Sequence, residues 1–232
     1  YVRSKNSKIP VTVIPNGVDI KKFAVRNVGN VRDDGDAFRT SEAASNAAKR
    51  SNSSNKQSDQ TVQTIITVSR LVEKNGVGDL IDAFYILNTK FEIRNSKLVI
   101  VGDGPLFESL KFKVKSLKLE DGVEFIGEVS NETLPEFLAQ ADVFVRPSLS
   151  EGLGTAFLEA MAAGVPIIGT SVGGISDFLK PARLDDASRS GGDGETGLFC
   201  RVSDPEDIAE KISRILNDDE LRNRLAVNGR KL

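Results

Sequence analysis

Short β-branched runs alternate with segments of helical period along most of this chain, and that alternation constrains the fold more than any other feature. Thr64-Ile65-Ile66-Thr67-Val68, Leu98-Val99-Ile100-Val101, Val123-Glu124-Phe125-Ile126, Asp142-Val143-Phe144-Val145, Val165-Pro166-Ile167-Ile168 and Gly197-Leu198-Phe199-Cys200 read as strands. Between them, Leu80, Ile81, Ala83, Phe84, Ile86 and Leu87 recur at helical spacing, as do Leu106, Leu110, Val114 and Leu117. Leu134, Phe137 and Leu138 mark a third helix, and Gly173 to Leu179 a short one. Asp204-Pro205 opens a helix carrying Ile208, Ile212 and Ile215, with Asp204 as N-cap and proline at the first helical position. Strands that are apolar on both faces need helices on both sides, and strand–helix–strand connections join parallel neighbours. The expected fold is therefore α/β, a doubly wound parallel sheet. Ligands then bind beyond the carboxyl ends of the strands, in the loops after Val68, Val101, Ile126, Val145 and Ile168.

Composition narrows the chemistry. The formal net charge of −2 gives no general attraction to nucleic acid or to an anionic membrane, so any anion binding must be local. With no histidine and the single Cys200, the chain has no Ser-His or Cys-His catalytic pair and no ordinary zinc site. Cys200 reads as a small buried hydrophobe. No run of about 18 apolar residues is present and no signal peptide, so no transmembrane segment is expected and the default compartment is cytoplasmic.

Residues 1–9 read as the remnant of an interdomain linker and 10–232 as one domain, with Val11 to Ile14 a strand feeding the turn Asn16-Gly17. Residues 26–60 are rich in Asn, Ser, Asp, Arg and Ala and read as a disordered insertion. The start at Tyr1 is expected of a piece of a longer protein.

The stretch from Pro147 to Pro166 carries the most chemistry. It reads as a strand end, a glycine loop (Gly152, Leu153, Gly154) and a helix closed by Gly164. Free N–H groups near Gly154, Thr155 and Ala156 offer an anion seat at the positive end of a helix dipole. Glu151, ahead of the helix, and Glu159, along it, can face hydroxyl groups. A phosphate between two such acids points to a nucleotide sugar. In the first loop, Arg70 and Lys74 can face a diphosphate; by residue type alone solvated surface charges are the better fit, and it is the loop position that favours the anion. Gly102-Asp103-Gly104-Pro105 lacks the third glycine of a dinucleotide fingerprint, since Phe107 stands there; it reads as a glycine turn with proline opening a helix, over which ligand can pass.

These landmarks together resemble retaining glycosyltransferases of group one with the GT-B fold. Glu151 to Glu159 matches their E-x7-E signature. Ile14-Pro15-Asn16-Gly17-Val18-Asp19, Val68-Ser69-Arg70-Leu71, Val101-Gly102-Asp103-Gly104-Pro105, Phe125-Ile126-Gly127, Ala141-Asp142-Val143-Phe144-Val145-Arg146-Pro147-Ser148 and Thr196-Gly197-Leu198 follow the family's order. The resemblance implies the Rossmann-like C-terminal, donor-binding half of a two-domain enzyme. It implies Arg70 on the donor diphosphate, Glu151 on the sugar, Glu159 on ribose, and the loop from Gly127 to Asn131 on the base through the backbone near Val129. Gly102, Gly104, Gly152, Leu153, Gly154, Thr155 and Ala156 complete the donor-binding set.

Two departures from the family pattern stand out. The family lysine belongs where this chain has Asn75, so Lys74 must serve from the next position, and the loop from Lys180 to Gly194 is long. The donor expected is a UDP- or GDP-linked sugar, with no metal or other cofactor required. The acceptor site falls to the missing N-terminal domain, which also leaves peripheral membrane attachment open. Alone, the chain is expected to bind donor weakly and to transfer nothing. Alternatives are a noncatalytic nucleotide- or sugar-binding module, favoured by Asn75, and a sugar-nucleotide epimerase of the same architecture, disfavoured by the lack of histidine.

Overall fold

The computed structural model of the chain describes residues 62–181 and 194–232. The expected strand at Val11 to Ile14, the 26–60 insertion and most of the 180–194 loop lie outside them. Six parallel strands form one sheet: β1 (Gln63–Val68), β2 (Ser96–Val101), β3 (Val123–Gly127), β4 (Val143–Arg146), β5 (Ile167–Thr170) and β6 (Gly197–Cys200). The helices are α1 (Val77–Thr89), α2 (Phe107–Ser116), α3 (Leu134–Ala139), α4 (Thr155–Ala162), α5 (Ile175–Phe178), α6 (Pro205–Asn217) and α7 (Asp219–Arg230). The strand order β3-β2-β1-β4-β5-β6 reverses direction between β1 and β4, which is the switch point of a doubly wound sheet.

Period-two alternation divides the strand residues between two cores. Ile65, Leu98, Ile100, Val143 and Val145 pack with α1, α2, α6 and α7, while Ile66, Val99, Val101, Phe144 and Ile167 pack with α3, α4 and α5. Large apolar residues fall on both faces of the sheet because it serves both layers, while Gln63, Lys97 and the exposed Glu124 interrupt the runs. Phe144 of β4 meets Phe157 of α4 edge to face at 5.1 Å, which ties the helix to the strand beside it. Asp204 caps α6 by accepting from the Asp207 N–H at 3.0 Å, with Pro205 opening the helix.

Two boundaries move from their expected places. β5 begins at Ile167 because Val165 N–H still bonds back to the Ala160 carbonyl, closing α4. Pro166 contributes only its carbonyl, which accepts from Phe144 N–H at 2.9 Å. Helix α2 starts at Phe107, not at Pro105, because the Leu106 N–H is taken by the Leu71 carbonyl at 3.1 Å. Cys200 is buried, and burial, then Asp207, pushes its thiol up to about 12, so it packs as an inert apolar group. Among the described residues, no helix is long and apolar enough to cross a membrane.

Candidate functional site

At the carboxyl end of the sheet, beside the switch point, lies a cleft of about 710 Å³. The ends of β1, β2 and β4, the loop after β3 and the first turn of α4 form its walls. Glycine at two positions brings these loops together. A Cβ on Gly102, whose φ is +124°, would stand 2.0 Å from the Ser69 carbonyl oxygen. One on Gly104 would stand 2.5 Å from that of Leu71. The pair of glycines after β2 thus lets its loop lie directly against the loop after β1.

Arg70 leaves β1 exposed at the cleft wall, and no described carboxylate lies within ion-pair distance of it. The first turn of α4 follows Gly154, which has φ +69° and no side chain to cap the helix. Thr155 and Ala156 line the cleft, and no side-chain cap competes for the free N–H groups of this turn. Glu159, one turn further along α4, also lines the cleft, and burial holds its carboxyl above the ordinary 4.5. Gly102, Gly104 and Val129 complete the expected residues on the wall. The site can hold an anion at Arg70 and the α4 terminus, and hydroxyl groups at Glu159.

Other expected residues stand elsewhere. Gly127, at φ +80°, ends β3 and gives its carbonyl to the Gly102 N–H at 2.7 Å. Glu151, Gly152, Leu153 and Gly154 form the loop into α4, outside the cleft lining. The Glu151 carboxylate turns inward to Arg146 at 2.7 Å, and also accepts from Gly152 N–H at 3.0 Å and the Ser148 hydroxyl at 3.4 Å. Gly173 and Gly174, in the loop after β5, press on this loop: a Cβ on Gly173 would meet the Glu151 carbonyl at 1.8 Å, and Gly174 N–H bonds to the Gly152 carbonyl at 2.8 Å.

Lys74 does not line the cleft. A 3-10 turn over Glu73–Asn75 leaves Lys74 exposed and turns Asn75 inward, where it is 2% exposed. Asn75 Nδ2 donates to the Arg70 carbonyl at 2.6 Å, and its Oδ1 accepts from Arg146 Nη2 at 3.0 Å. Arg146 and Ser69, which sequence reasoning did not assign, both line the cleft. Strand parity is the signal that could have found Arg146. It sits two residues after Phe144, so it shares the face that packs on α4.

A doubly wound α/β domain with a cleft at its switch point is the class that the structure alone defines. The family model for glycosyl transferases group 1 matches residues 48–232, and the chain belongs to that family. It is 35% identical over 166 residues to N-acetyl-alpha-D-glucosaminyl L-malate synthase of Bacillus anthracis, covering 72% of this chain and 39% of that one. The crystallised C-terminal domain of the group 1 protein LpcC from Francisella tularensis superposes with TM-score 0.61 at 25% identity, covering 74% of this chain and 84% of the other. Anabaena HepE, solved with UDP and glucose, shares the fold with TM-score 0.69 at 20% identity, over 95% of this chain and 51% of HepE. The sheet and its helices are thus one Rossmann-like half of the GT-B architecture, and the chain spans well under half of the B. anthracis relative.

Proposed function

We propose that this chain is the donor-binding half of a retaining glycosyltransferase, which moves a sugar from a UDP- or GDP-linked donor to an acceptor hydroxyl. The observation that carries this reading is the convergence of Arg70, the open first turn of α4 and Glu159 on one cleft at the switch point. Arg70 and the α4 N–H groups oppose the charge that develops on the departing diphosphate. Lys74 is exposed on the loop that bears Arg70 but lies outside the cleft lining, so the cation on the diphosphate is Arg70. Glu159 accepts from ribose hydroxyls, and backbone near Val129 contacts the base. The binding of UDP and glucose by HepE, which has the same fold, is in keeping with such a ligand.

In the transfer step, the bond from the anomeric carbon to the β-phosphate oxygen breaks as the acceptor oxygen bonds to that carbon from the same face, so the configuration is retained. The acceptor proton passes to the departing phosphate oxygen. Glu151 orients the donor sugar by accepting from its hydroxyls. No metal is given a role, because Arg70 and the helix terminus supply the positive charge. Acceptor contacts come from an N-terminal domain, so this chain alone transfers nothing, and a cytoplasmic enzyme attaches to membranes, if at all, through that domain. The test is Glu151→Ala in the full-length enzyme. Transfer is expected to fall by at least 10-fold, and undiminished turnover would remove Glu151 from the mechanism.

A further inference from the structure

Arg146 is a cation of the cleft to which the proposed function gives no role. It ends β4 next to β1, lines the same cleft as Arg70, and its side chain is 12% exposed. Its hydrogen bonding is one-sided. Nη2 serves both Glu151, at 2.7 Å, and Asn75, at 3.0 Å. Nε is buried and has no partner among the described residues, and the same holds for the Ser69 hydroxyl, also on the cleft wall. A buried guanidinium with an unmet donor is costly unless an acceptor completes it. Burial lowers the Arg146 pKa, and Glu151 works against that drop, so the partner carboxylate helps keep the guanidinium charged.

Resting on the donor-site reading, we propose that Arg146 is a second diphosphate-binding cation, and that Glu151 occupies it as an internal counter-ion until the donor's phosphate displaces the carboxylate. Displacement does two things at once. It gives the guanidinium a phosphate whose several oxygens can meet Nε as well as the Nη donors. It also frees the Glu151 carboxylate to accept from the donor sugar. Asn75 is the positioning residue: being neutral, it holds Arg146 without neutralising it, and its other bond fixes the carbonyl of Arg70. The two arginines are thereby set relative to one another across the switch point. Free diphosphate must compete with Glu151 for Arg146, whereas a complete donor rewards the freed carboxylate with a hydroxyl contact.

The experiment measures binding of UDP, GDP and uridine or guanosine to the 232-residue chain by calorimetry, with no sugar present so that Glu151 has no donor hydroxyl to contact. In Arg146→Met, affinity for the diphosphate that binds should fall on the order of 10-fold or more, while the phosphate-free nucleoside changes less than about 2-fold. In Glu151→Gln, diphosphate affinity should rise about 3-fold or more, because the competing carboxylate is gone. That gain should vanish in the Arg146→Met, Glu151→Gln double variant. Should Arg146→Met fail to fold, Glu151→Gln and Arg146→Lys still decide, the latter weakening diphosphate binding about 3-fold or more because an ammonium lacks the fork that meets several phosphate oxygens, and unchanged binding in Arg146→Lys overturning the inference. Diphosphate affinity unchanged or reduced in Glu151→Gln, or unchanged in folded Arg146→Met, overturns the inference and leaves the donor-site reading standing. Failure of the unaltered chain to bind either diphosphate overturns both.

Discussion

The contact between the loops after β1 and β2 carries Arg70, and Gly104→Ala tests it directly. Gly104 has no left-handed φ, so alanine meets no conformational penalty there and only space matters. The added Cβ would stand 2.5 Å from the Leu71 oxygen and 2.7 Å from its nitrogen, all backbone of a residue that is itself fully buried. Ordinary contact begins at 3.4 Å, so the loops must part by about 0.9 Å (3.4 − 2.5). That displacement stretches Leu71 N–H to the Asp103 carbonyl, now 2.9 Å, and Leu106 N–H to the Leu71 carbonyl, now 3.1 Å, past useful bonding. Two lost bonds at about 1 kcal/mol each and roughly 1 kcal/mol of residual strain give about 3 kcal/mol. For a domain of this size that is a fall in Tm of about 6–12 °C. Gly152→Ala is the control, since its Cβ would meet nothing within 4 Å; it should stay within about 0.5 kcal/mol of the parent chain. Thermal and urea melts read both. A Gly104→Ala chain as stable as the parent, or Gly152→Ala equally damaged, refutes the steric reasoning.

Phe157→Ala removes a fully buried ring that meets Phe144 and Phe178 and backs Gly154, so urea melts should show a loss of about 3–5 kcal/mol; a loss under about 1 kcal/mol would mean that α4 is held otherwise. Glu159→Gln should act in opposite directions on stability and binding. Burial raises the Glu159 pKa, so the folded chain holds that proton more tightly than the unfolded chain, and stability falls as pH rises from the ordinary 4.5 through the raised value. The variant lacks this slope and should be more stable than the parent at pH 7, yet bind nucleotide about 10-fold more weakly through the lost charged acceptor. Parallel pH–stability curves for the two chains, or unaltered nucleotide affinity, would contradict the role.

The strands were legible because most carry apolar residues on both faces, the pattern of a sheet covered on both sides. Helix α6 was equally plain from Asp204-Pro205. The loops were harder, because their contacts are made by backbone from distant segments. Nothing adjacent in sequence indicates that Gly104 abuts Leu71, or that the Leu106 N–H is already taken when α2 begins. The neighbourhood of Arg70 shows the same limit. Linear proximity favours Lys74 as its companion in the cleft, but a three-residue turn reverses which side chain faces inward and brings Asn75 to the interior instead. Arg146 lies far from Arg70 along the chain and adjacent across the switch point. Its burial follows from strand parity, while its pairing with Glu151 depends on the fold of the loop after β4.

The central claim, that a nucleoside diphosphate binds in the cleft through Arg70, is tested most directly by titrating UDP and GDP separately into the parent chain and into Arg70→Ala while following Tm. Arg70 is exposed, so the variant should melt with the parent when no ligand is present. At about ten times Kd, one of the two nucleotides should stabilise the parent by about 1.4 kcal/mol, a rise of roughly 3–5 °C, and Arg70→Ala should lose most of that rise at the same concentration. No rise with either nucleotide at millimolar concentration, or an equal rise in Arg70→Ala, would contradict the account.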